Sequence, residues 1–584
     1  MIELEIDKKI FWFWFGWLAA GTLSMCLFYR PLFDSFWGSL AGIFWFAAVI
    51  CPPLAALAEL IFNKWRLEDG RRPLILLAAL AVFFFAFYAA FSWHKHDNFA
   101  TGYDLAIFDQ AIWHMSRFEL PSSSVRNVPL VFADHFDPAI AIAVPFYWLF
   151  DNVKMLLFFQ VLVLVVPVFI FYAWGRYFSI RPMYLIFLSL YYLTSACVQG
   201  IPNFDFHETA LAPMFIIAAF YFLSRQKWFL YSLSIILLVL VKEEFALLAA
   251  AIGLFAIFKE RQPRIGAATV VLSAGFFAVL AGVIMPAINF SGSGYVYSQL
   301  FYGFENGFLG GIGYYFADPS RIAAVFSMLP DKWWNIVFYL VPLAFPVVFQ
   351  PAAAVLFLPA LVQRILSSYI YLSYPRYYYN IVFPVLGLAV FAYFLKKPPV
   401  HIFSNLQKKI SKFGFSIIGA IVMLPLAANL VYSINYSYLF DPADNWRSVS
   451  DPKAADKKFL LDAVPGGASV AAAQIFLPHL SHRKNLYILP RIGDAQFVVI
   501  HYCESDICNY WPMGKEDIGR LQSYLADNGH YVARVKNDAG IVFERTGEYS
   551  QALKNENSGF CRKIIEGAKL EDMHRGYLGK NCDY

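Results

Sequence analysis

The chain has 584 residues, of which 59% are hydrophobic, 19% are aromatic and only 15% are charged. This composition lies far outside the range of soluble domains and predicts a polytopic membrane protein. The formal net charge of +5 belongs to lysines and arginines in short loops between apolar runs. It therefore reports membrane topology and gives no indication of nucleic-acid binding.

Apolar runs long enough to cross a hydrocarbon core of ~30 Å recur along the chain. The longest lie near 11–29, 36–63, 73–92, 154–173, 182–198, 265–288 and 414–437. Shorter runs lie near 210–223, 228–242, 245–258, 333–349, 351–363 and 380–395, and they span if they tilt or pack inside a bundle. We therefore expect a mainly α-helical transmembrane bundle of about thirteen helices. Its first span stays in the membrane because the run lacks a signal-peptide cleavage site.

Lysine and arginine in short loops indicate which side of the membrane each loop occupies. All the basic clusters lie on one side if the segment 137–150 runs along the membrane interface instead of crossing. We expect that side to be the cytoplasm, so that the N-terminus is cytoplasmic and the chain is a multi-pass protein of the cell membrane. The clusters are Lys8 and Lys9; Lys64, Arg66, Arg71 and Arg72; Arg176 and Arg181; Arg225 and Lys227; Lys259, Arg261 and Arg264; and Lys396 to Lys412.

The tail after Tyr438 has a soluble composition and is predicted to lie on the outer side. Residues 441–545 indicate an α/β module. Strands are predicted in VPGGASVAAA, NLYILP and AQFVVI, helices around 474–480 and in KEDIGRLQSYLADNGH, and a hairpin after the second helix. We expect residues 438–584 to form a separate extracytoplasmic domain, because a module of this size holds its own core. Its cysteines predict two disulfides with three alternative pairings, and zinc is the other interpretation. They are Cys503, Cys508, Cys561 and Cys582.

The segment GYDLAIFDQAIW, in the outer loop 93–153, is the first candidate for chemistry. Asp104 is placed to act as a general base close to the lipid headgroups. It is also a good N-cap for a helix that follows it. Capping does not explain Asp109, which lies five residues further on and about 140° around the helix. Two carboxylates on different faces predict two different partners, and both residues are candidate catalytic groups.

The segment DHFDP in the same loop holds a second acidic cluster. Asp137 suits the N-cap of an interfacial helix that starts at Pro138. Asp134 and His135 are not explained in this way. They offer a hard oxygen ligand and an imidazole, which favours substrate orientation or a site for Mg²⁺ or Mn²⁺, although the spacing alone does not define a metal site.

The segment PNFDFHETALAP follows a long apolar run and contains Asp205, His207 and Glu208. Any of the three could cap the next helix, and capping is the better explanation for Asp205. At the end of an apolar helix all three are also candidates for substrate binding.

Lys242, Glu243 and Glu244 lie between two apolar helices with no polar loop. Charged groups at membrane depth pair with one another or line a polar cavity. Lys242 either neutralises Glu243 or meets a lipid phosphate as a point charge. Arg376, in SYPRYYYN, has a guanidinium suited to bidentate phosphate contact beside an interfacial belt of tyrosines. All four residues are candidates for substrate binding.

Together, GYDLAIFDQAIW, DHFDPAIAIAVPFYWLF, DFHE and KEE resemble a family of uncharacterised prokaryotic multispanning proteins that is related to the GT-C glycosyltransferases. The resemblance covers about residues 73–500. It implies a helical bundle with an acidic catalytic residue in its first outer loop, at the position of Asp104, and a soluble outer domain. Residues 73–437 would then be the GT-C-like module, and residues 1–72 would add two helices in front of it.

The resemblance further implies a glycosyltransferase whose donor is a sugar linked to polyprenyl phosphate, entering from the membrane lipids. A carboxylate would deprotonate a hydroxyl of a glycan, lipid or protein acceptor, and basic groups or a metal would stabilise the leaving phosphate. The single displacement would invert the anomeric centre. The alternative is a transporter or flippase of a lipid-linked or anionic solute, which suits the buried charges of the KEE segment. A non-catalytic scaffold leaves the outer carboxylates without a purpose.

Overall fold

The computed structural model describes residues 16–17, 36–288, 296–304, 307–327, 330–399, 402, 404, 407–408, 416–436, 446, 448–502, 512–567 and 582. Most of the predicted first span, together with Cys26, Cys503 and Cys508, lies outside the described residues. A mainly helical bundle precedes a small α/β domain, as the sequence predicts.

The bundle is built from α-helices joined by short 3₁₀ segments. The helices are α1 (Phe36–Lys64), α2 (Arg72–Asp97), α3 (Tyr103–Ser116), α4 (Val144–Leu149), α5 (Val153–Val165), α6 (Pro167–Tyr177), α7 (Pro182–Thr194), α8 (Ala196–Phe204), α9 (Ala212–Ser224), α10 (Trp228–Val239), α11 (Phe245–Phe258), α12 (Pro263–Val279), α13 (Met285–Ile288), α14 (Gly307–Ala317), α15 (Ser320–Ser327), α16 (Pro330–Val348), α17 (Ala354–Leu366), α18 (Val382–Lys396) and α19 (Ile417–Tyr436).

Several of these helices are long and apolar enough to cross a membrane. Within the described residues they are Arg72–Asp97, Val153–Tyr177, Pro263–Ile288 and Tyr378–Lys396, and the pair α7 and α8 makes a fifth if it counts as one span. That pair bends by 41° because Ser195 leaves the helical region, with φ −61° and ψ 136°. Its hydroxyl then accepts a hydrogen bond from the backbone N–H of Cys197, which caps the second half. Shorter apolar helices fill the rest of the bundle.

Glycine lets α11 and α12 approach each other closely. A Cβ on Gly253 would lie 2.8 Å from the carbonyl oxygen of Gly266, and one on Gly266 would lie 2.6 Å from the carbonyl oxygen of Gly253. The two backbones therefore pack directly against each other, as small residues allow in membrane bundles where dispersion contacts drive helix association.

The helix termini gather at two ends of the bundle, one with the candidate site residues and one with the basic clusters. At one end, which we call the site end, Lys154 at the start of α5 pairs with Asp97 at the end of α2, with 2.6 Å between Nζ and Oδ1. At the other, which we call the basic end, Arg181 before α7 contacts both Glu59 and Glu68 at 2.8 and 3.0 Å. The basic residues at the start of α2 and near the ends of α6, α9, α11 and α18 also lie at this basic end. Which side of the membrane each end faces stays a prediction.

The C-terminal domain contains a five-stranded sheet in the order β2-β1-β3-β5-β4. β1 (Val470–Ala472) pairs in parallel with β2 (Leu486–Ile488) and β3 (Phe497–His501), whereas β4 (Tyr531–Asn537) and β5 (Gly540–Arg545) form an antiparallel hairpin on the β3 edge. The strands and hairpin lie where the sequence predicts them. The helices of the domain are α20 (Ala454–Asp462), α21 (Leu477–Leu480), α22 (Lys515–Asp527) and α23 (Gln551–Gly567).

A disulfide joins Cys561 to Cys582. It ties α23 to the last residues of the chain, so one of the two predicted bridges is present in the described part of the domain. Cys51 and Cys197, in the apolar bundle, are buried free thiols.

Candidate active site

Helix α3 lies at the site end, between the bundle and the C-terminal domain. Its N-cap is Gly102, and no side chain caps it. The N-cap interpretation of Asp104 is therefore wrong, because Asp104 is the second residue of the helix and lies within its first turn. The N–H of Gly102 donates instead to Oδ2 of Asp205 at 2.9 Å. Asp205 also accepts from Nζ of Lys95 at 3.0 Å, so it ties the start of α3 to the end of α2 and does not cap the helix after it.

Asp104 faces the bundle. Its Oδ2 lies 3.7 Å from Nε2 of His207, and 35% of its side chain is exposed. Burial raises the pKa of Asp104, the His207 charge lowers it, and the result lies above the ordinary value of an aspartate. The Asp104 carboxylate is therefore partly exposed and partly enclosed by protein, and we call its surroundings, beside His207 and Tyr378, the crevice.

Three contacts hold His207 in place, two through its ring and one through its backbone. It stacks on Tyr378 with 3.4 Å between ring centroids, and its Nδ1 lies 3.6 Å from Oε2 of Glu208. Its backbone N–H donates to Oε1 of Gln160 at 2.9 Å, and the Gln160 amide donates in turn to the carbonyl of Asp205 at 2.8 Å. Gln160, in the middle of an apolar helix, was not singled out by the sequence. A lone polar residue at such a position is the signal that could have found it.

Lys242 pairs with Glu208 and not with Glu243. Its Nζ lies 2.8 Å from Oε1 of Glu208, and the two side chains are 7% and 0% exposed. The expected neutralisation of its neighbour Glu243 is therefore wrong. Glu243 instead contacts Nδ1 of His135 at 2.8 Å and accepts from the backbone N–H of Phe136 at 3.0 Å. These pairs fasten the DHFDP segment and the start of α9 to the turn between α10 and α11.

Glu244 differs from its two neighbours. It is half-buried and stands at the N-cap of α11 without a capping side-chain hydrogen bond.

Both carboxylate oxygens of Asp134 are already occupied. Arg126 donates to them from Nε and Nη2, each at 2.7 Å, and the Tyr297 hydroxyl donates at 2.9 Å. Burial raises the pKa of Asp134, but the charges of Arg126 and His135 and these hydrogen bonds outweigh it, so the pKa lies below its ordinary value. His135 stacks on Tyr297 with 4.1 Å between centroids. Within the described residues, no three His, Cys, Asp or Glu side chains converge to hold a metal ion. An Mg²⁺ or Mn²⁺ site at Asp134 and His135 stays a prediction.

Asp137 occupies the N-cap position that the sequence predicts, before the 3₁₀ segment Pro138–Ala143, but its side chain makes no capping hydrogen bond. The residue is 1% exposed, and its Oδ1 has no hydrogen-bond partner. Burial and the neighbouring carboxylates of Glu208 and Glu243 hold the pKa of Asp137 well above its ordinary value.

Arg376 is exposed, and its backbone carbonyl packs against α8 at Gly200, where an added Cβ would lie 2.1 Å from the oxygen. Arg364, in contrast to Arg376, is buried at the site end, where it is 2% exposed. It donates to Oδ1 of Asn380 at 3.1 Å and to the carbonyl of Tyr379. It therefore fixes the backbone next to Tyr378, the tyrosine that stacks on His207. The sequence did not single it out, although it is a lone charge at the end of an apolar helix.

Asp109 lies on the other face of α3 and is fully buried. It accepts hydrogen bonds from the hydroxyls of Tyr147 and Ser481, and Nε2 of His482 lies 3.1 Å from its Oδ2. The predicted separation of the two carboxylates onto two partners is thus observed. Asp104 faces the bundle, whereas Asp109 faces the C-terminal domain and stands apart from the crevice.

Comparison with known proteins gives the family of the chain. A family model described as "Predicted membrane protein (DUF2079)" matches residues 95–542, which is more than half of the sequence, so the chain belongs to this family. No curated protein matches the sequence. Among solved structures, the chain is similar to the crystal structure of ArnT from Cupriavidus metallidurans bound to undecaprenyl phosphate. The identity is 10%, the match covers 83% of this chain and 100% of that chain, and the TM-score is 0.46.

Proposed function

We propose that the protein is an inverting membrane glycosyltransferase, with Asp104 as the general base and a polyprenyl-phosphate-linked sugar as donor. The observation that carries the proposal is the setting of Asp104, a crevice carboxylate with a raised pKa whose ion-pair contact is a histidine. Transfer takes place at the site end, which we assign to the extracytoplasmic face from the distribution of lysine and arginine.

The neighbouring carboxylates are less suited to the role of base. Lysine or arginine neutralises Glu208, Asp134 and Asp205 at contact distances of 2.7 to 3.0 Å. A general base needs access to the substrate and a pKa that approaches the operating pH. Asp104 suits the role better than these three carboxylates, because it is partly exposed and its pKa is shifted upward, toward the operating pH.

In the proposed reaction, the acceptor hydroxyl oxygen bonds to the anomeric carbon while an Asp104 oxygen takes the proton from that hydroxyl. The bond from the anomeric carbon to the phosphate oxygen breaks, and the polyprenyl phosphate leaves with the electron pair. His207 lies within 3.7 Å of the base and stabilises its charged form before the proton arrives. Positive groups such as Lys242 and Arg376, or a divalent metal, are proposed to balance the charge of the leaving phosphate.

A transporter or flippase is the second candidate, because the pairs Lys242–Glu208 and His135–Glu243 place ionisable groups inside an apolar bundle. Both pairs lie at helix termini, together with Asp104 and Asp205. A path across the membrane needs polar groups near the middle of the spans. Their gathering at one end favours chemistry at a membrane face.

The test is transfer by the purified protein in lipid nanodiscs. Lipids and glycans that change in a deletion strain, identified by mass spectrometry, would define the sugars to supply as polyprenyl-phosphate donors. We expect Asp104→Asn to abolish transfer while the protein still folds, because the change is nearly isosteric and removes the base. Asp97→Asn is the matched control, since Asp97 is 56% exposed at the same end of the bundle, and it should keep full activity.

Full activity of Asp104→Asn would remove this residue from the mechanism. Lys242-dependent movement of a labelled solute across liposomes, without donor-dependent transfer, would favour the transporter.

A further inference from the structure

A second polar cluster joins α3 to the C-terminal domain, on the face opposite Asp104. At its centre, His482 stands between two carboxylates. Its Nε2 lies 3.1 Å from Oδ2 of Asp109, and its Nδ1 lies 3.1 Å from Oδ1 of Asp151. Both contacts are ion-pair contacts, and Nε2 makes no hydrogen bond in this geometry. Two carboxylates so close to one imidazole favour its protonated form, because only that form carries a positive charge.

The two carboxylates are in very different environments. Asp109 is fully buried, and its other partners are the neutral hydroxyls of Tyr147 and Ser481. Asp151 is 47% exposed and has Arg117 as a second partner at 2.6 Å. The charge of His482 therefore matters most for Asp109, because a buried carboxylate without a positive partner is strongly destabilising.

Aromatic and charged side chains from α3, from α4 and from its own segment also lie near His482. Trp113 of α3 stacks on the ring with 5.8 Å between centroids, and the Tyr147 ring of α4 lies at the same distance. Lys484, two residues along the chain, pairs with Glu119 at 3.2 Å. Burial lowers the pKa of His482, Asp109 and Asp151 raise it, Arg117 opposes them, and the net pKa lies above the ordinary value of a histidine.

We propose that His482 is a positioning residue, whose protonated ring docks the C-terminal domain onto α3 and so holds the helix that carries Asp104. Neighbouring contacts show how docking fixes this helix. The Gln110 amide donates to the carbonyl of Arg483 at 2.8 Å, and the Ser124 hydroxyl bridges the backbone N–H and carbonyl of Leu486 at 2.8 and 3.0 Å. Asp104 lies only ~7.5 Å along the helix axis from Asp109, so a shift of the docked face moves the base.

The dependence on pH has a definite sign. A histidine whose pKa is raised by docking stabilises the docked state fully below the undocked value of about 6.5. This stabilisation is lost as the pH rises through the raised pKa. His479, three residues earlier, provides the opposite case. Its ring stacks on His96 and lies tilted against Phe99. Burial and the charge of His96 hold the pKa of His479 well below the ordinary value. Its contribution is present above about pH 6.5 and is lost on acidification.

Hydrogen exchange on the full-length protein in nanodiscs tests the inference without any substrate. After correction for the intrinsic exchange rate, we expect amides in 105–116 and 477–488 to exchange about tenfold faster above the raised pKa of His482 than at pH 6. A factor of about ten corresponds to the loss of one charge-assisted contact. His482→Gln should exchange fast at both pH values. His479→Gln is the matched control and should keep the alkaline increase.

His482→Lys provides a second variant, because its charge does not titrate in this range. We expect slow exchange at both pH values. An unchanged exchange rate in the wild type across this range would overturn the proposal, and so would an alkaline increase in His482→Gln equal to that of the wild type. Only the effect on Asp104 rests on the proposed function. If exchange behaves as expected and transfer is absent, the proposed function fails and the docking role stands.

Discussion

The pair formed by Lys242 and Glu208 allows a sharp test of how the site end is held together. Lys242→Met replaces the ammonium with an apolar group of similar length and leaves the Glu208 carboxylate buried. Both side chains are almost inaccessible, 7% and 0% exposed, at a contact distance of 2.8 Å. Solvent therefore screens the pair little. Removing one partner of such a pair costs about 3–5 kcal/mol of folding stability.

Double variants identify which carboxylate is stranded. Because the charge left behind by Lys242→Met belongs to Glu208, Lys242→Met/Glu208→Gln should recover most of the lost stability. Lys242→Met/Glu243→Gln should not recover it, since Glu243 has His135 as its own partner at 2.8 Å. The measurement is the thermal unfolding temperature in detergent, compared among variants at one heating rate and one detergent concentration.

The refuting result would be recovery by Glu243→Gln and none by Glu208→Gln. That outcome would restore the pairing of neighbours that the sequence alone suggests. It would also mean that Glu208 does not hold the start of α9 against the turn before α11.

Four further predictions concern the site and the topology. The raised pKa of Asp104 predicts that kcat/KM for transfer falls on acidification at a pH above the ordinary aspartate value of about 3.9, and a pH profile flat down to that value would contradict it. Arg376→Lys should raise the donor KM although charge is conserved, because a point charge cannot reproduce a planar two-donor contact; an unchanged KM would separate Arg376 from the phosphate. Gly200→Ala should cost about 1–3 kcal/mol of folding stability by overpacking, since its Cβ would meet a backbone oxygen at 2.1 Å, whereas Gly275→Ala, with open space around it, should cost far less. Reporter fusions after Tyr438 should report an extracytoplasmic tail, and a cytoplasmic signal would overturn the orientation.

Local patterns in the sequence were sufficient for most elements of the fold. Apolar runs predicted the helices, and short β-rich segments predicted the strands of the C-terminal domain, because helix and strand periodicities are properties of neighbouring residues. The pairing of Lys242 with Glu208 was missed because Lys242 and Glu243 lie in the turn between α10 and α11, where no helical or strand repeat says which way a side chain points. The true partner lies 34 residues earlier, and only the packing of the bundle brings it near.

The same distinction between local and long-range contacts explains why the sequence predicted the separation of Asp104 and Asp109 but not their partners. Their separation around the helix follows from the helical repeat alone, and it correctly predicted two partners. The identity of those partners depends on contacts between residues far apart in the chain, Asp104 with His207 and Asp109 with Ser481, which lies 372 residues away. No local pattern contains them. One face of α3 therefore contacts the bundle, and the other contacts the C-terminal domain. Because both faces belong to one short helix, we expect a change in either set of contacts to move Asp104.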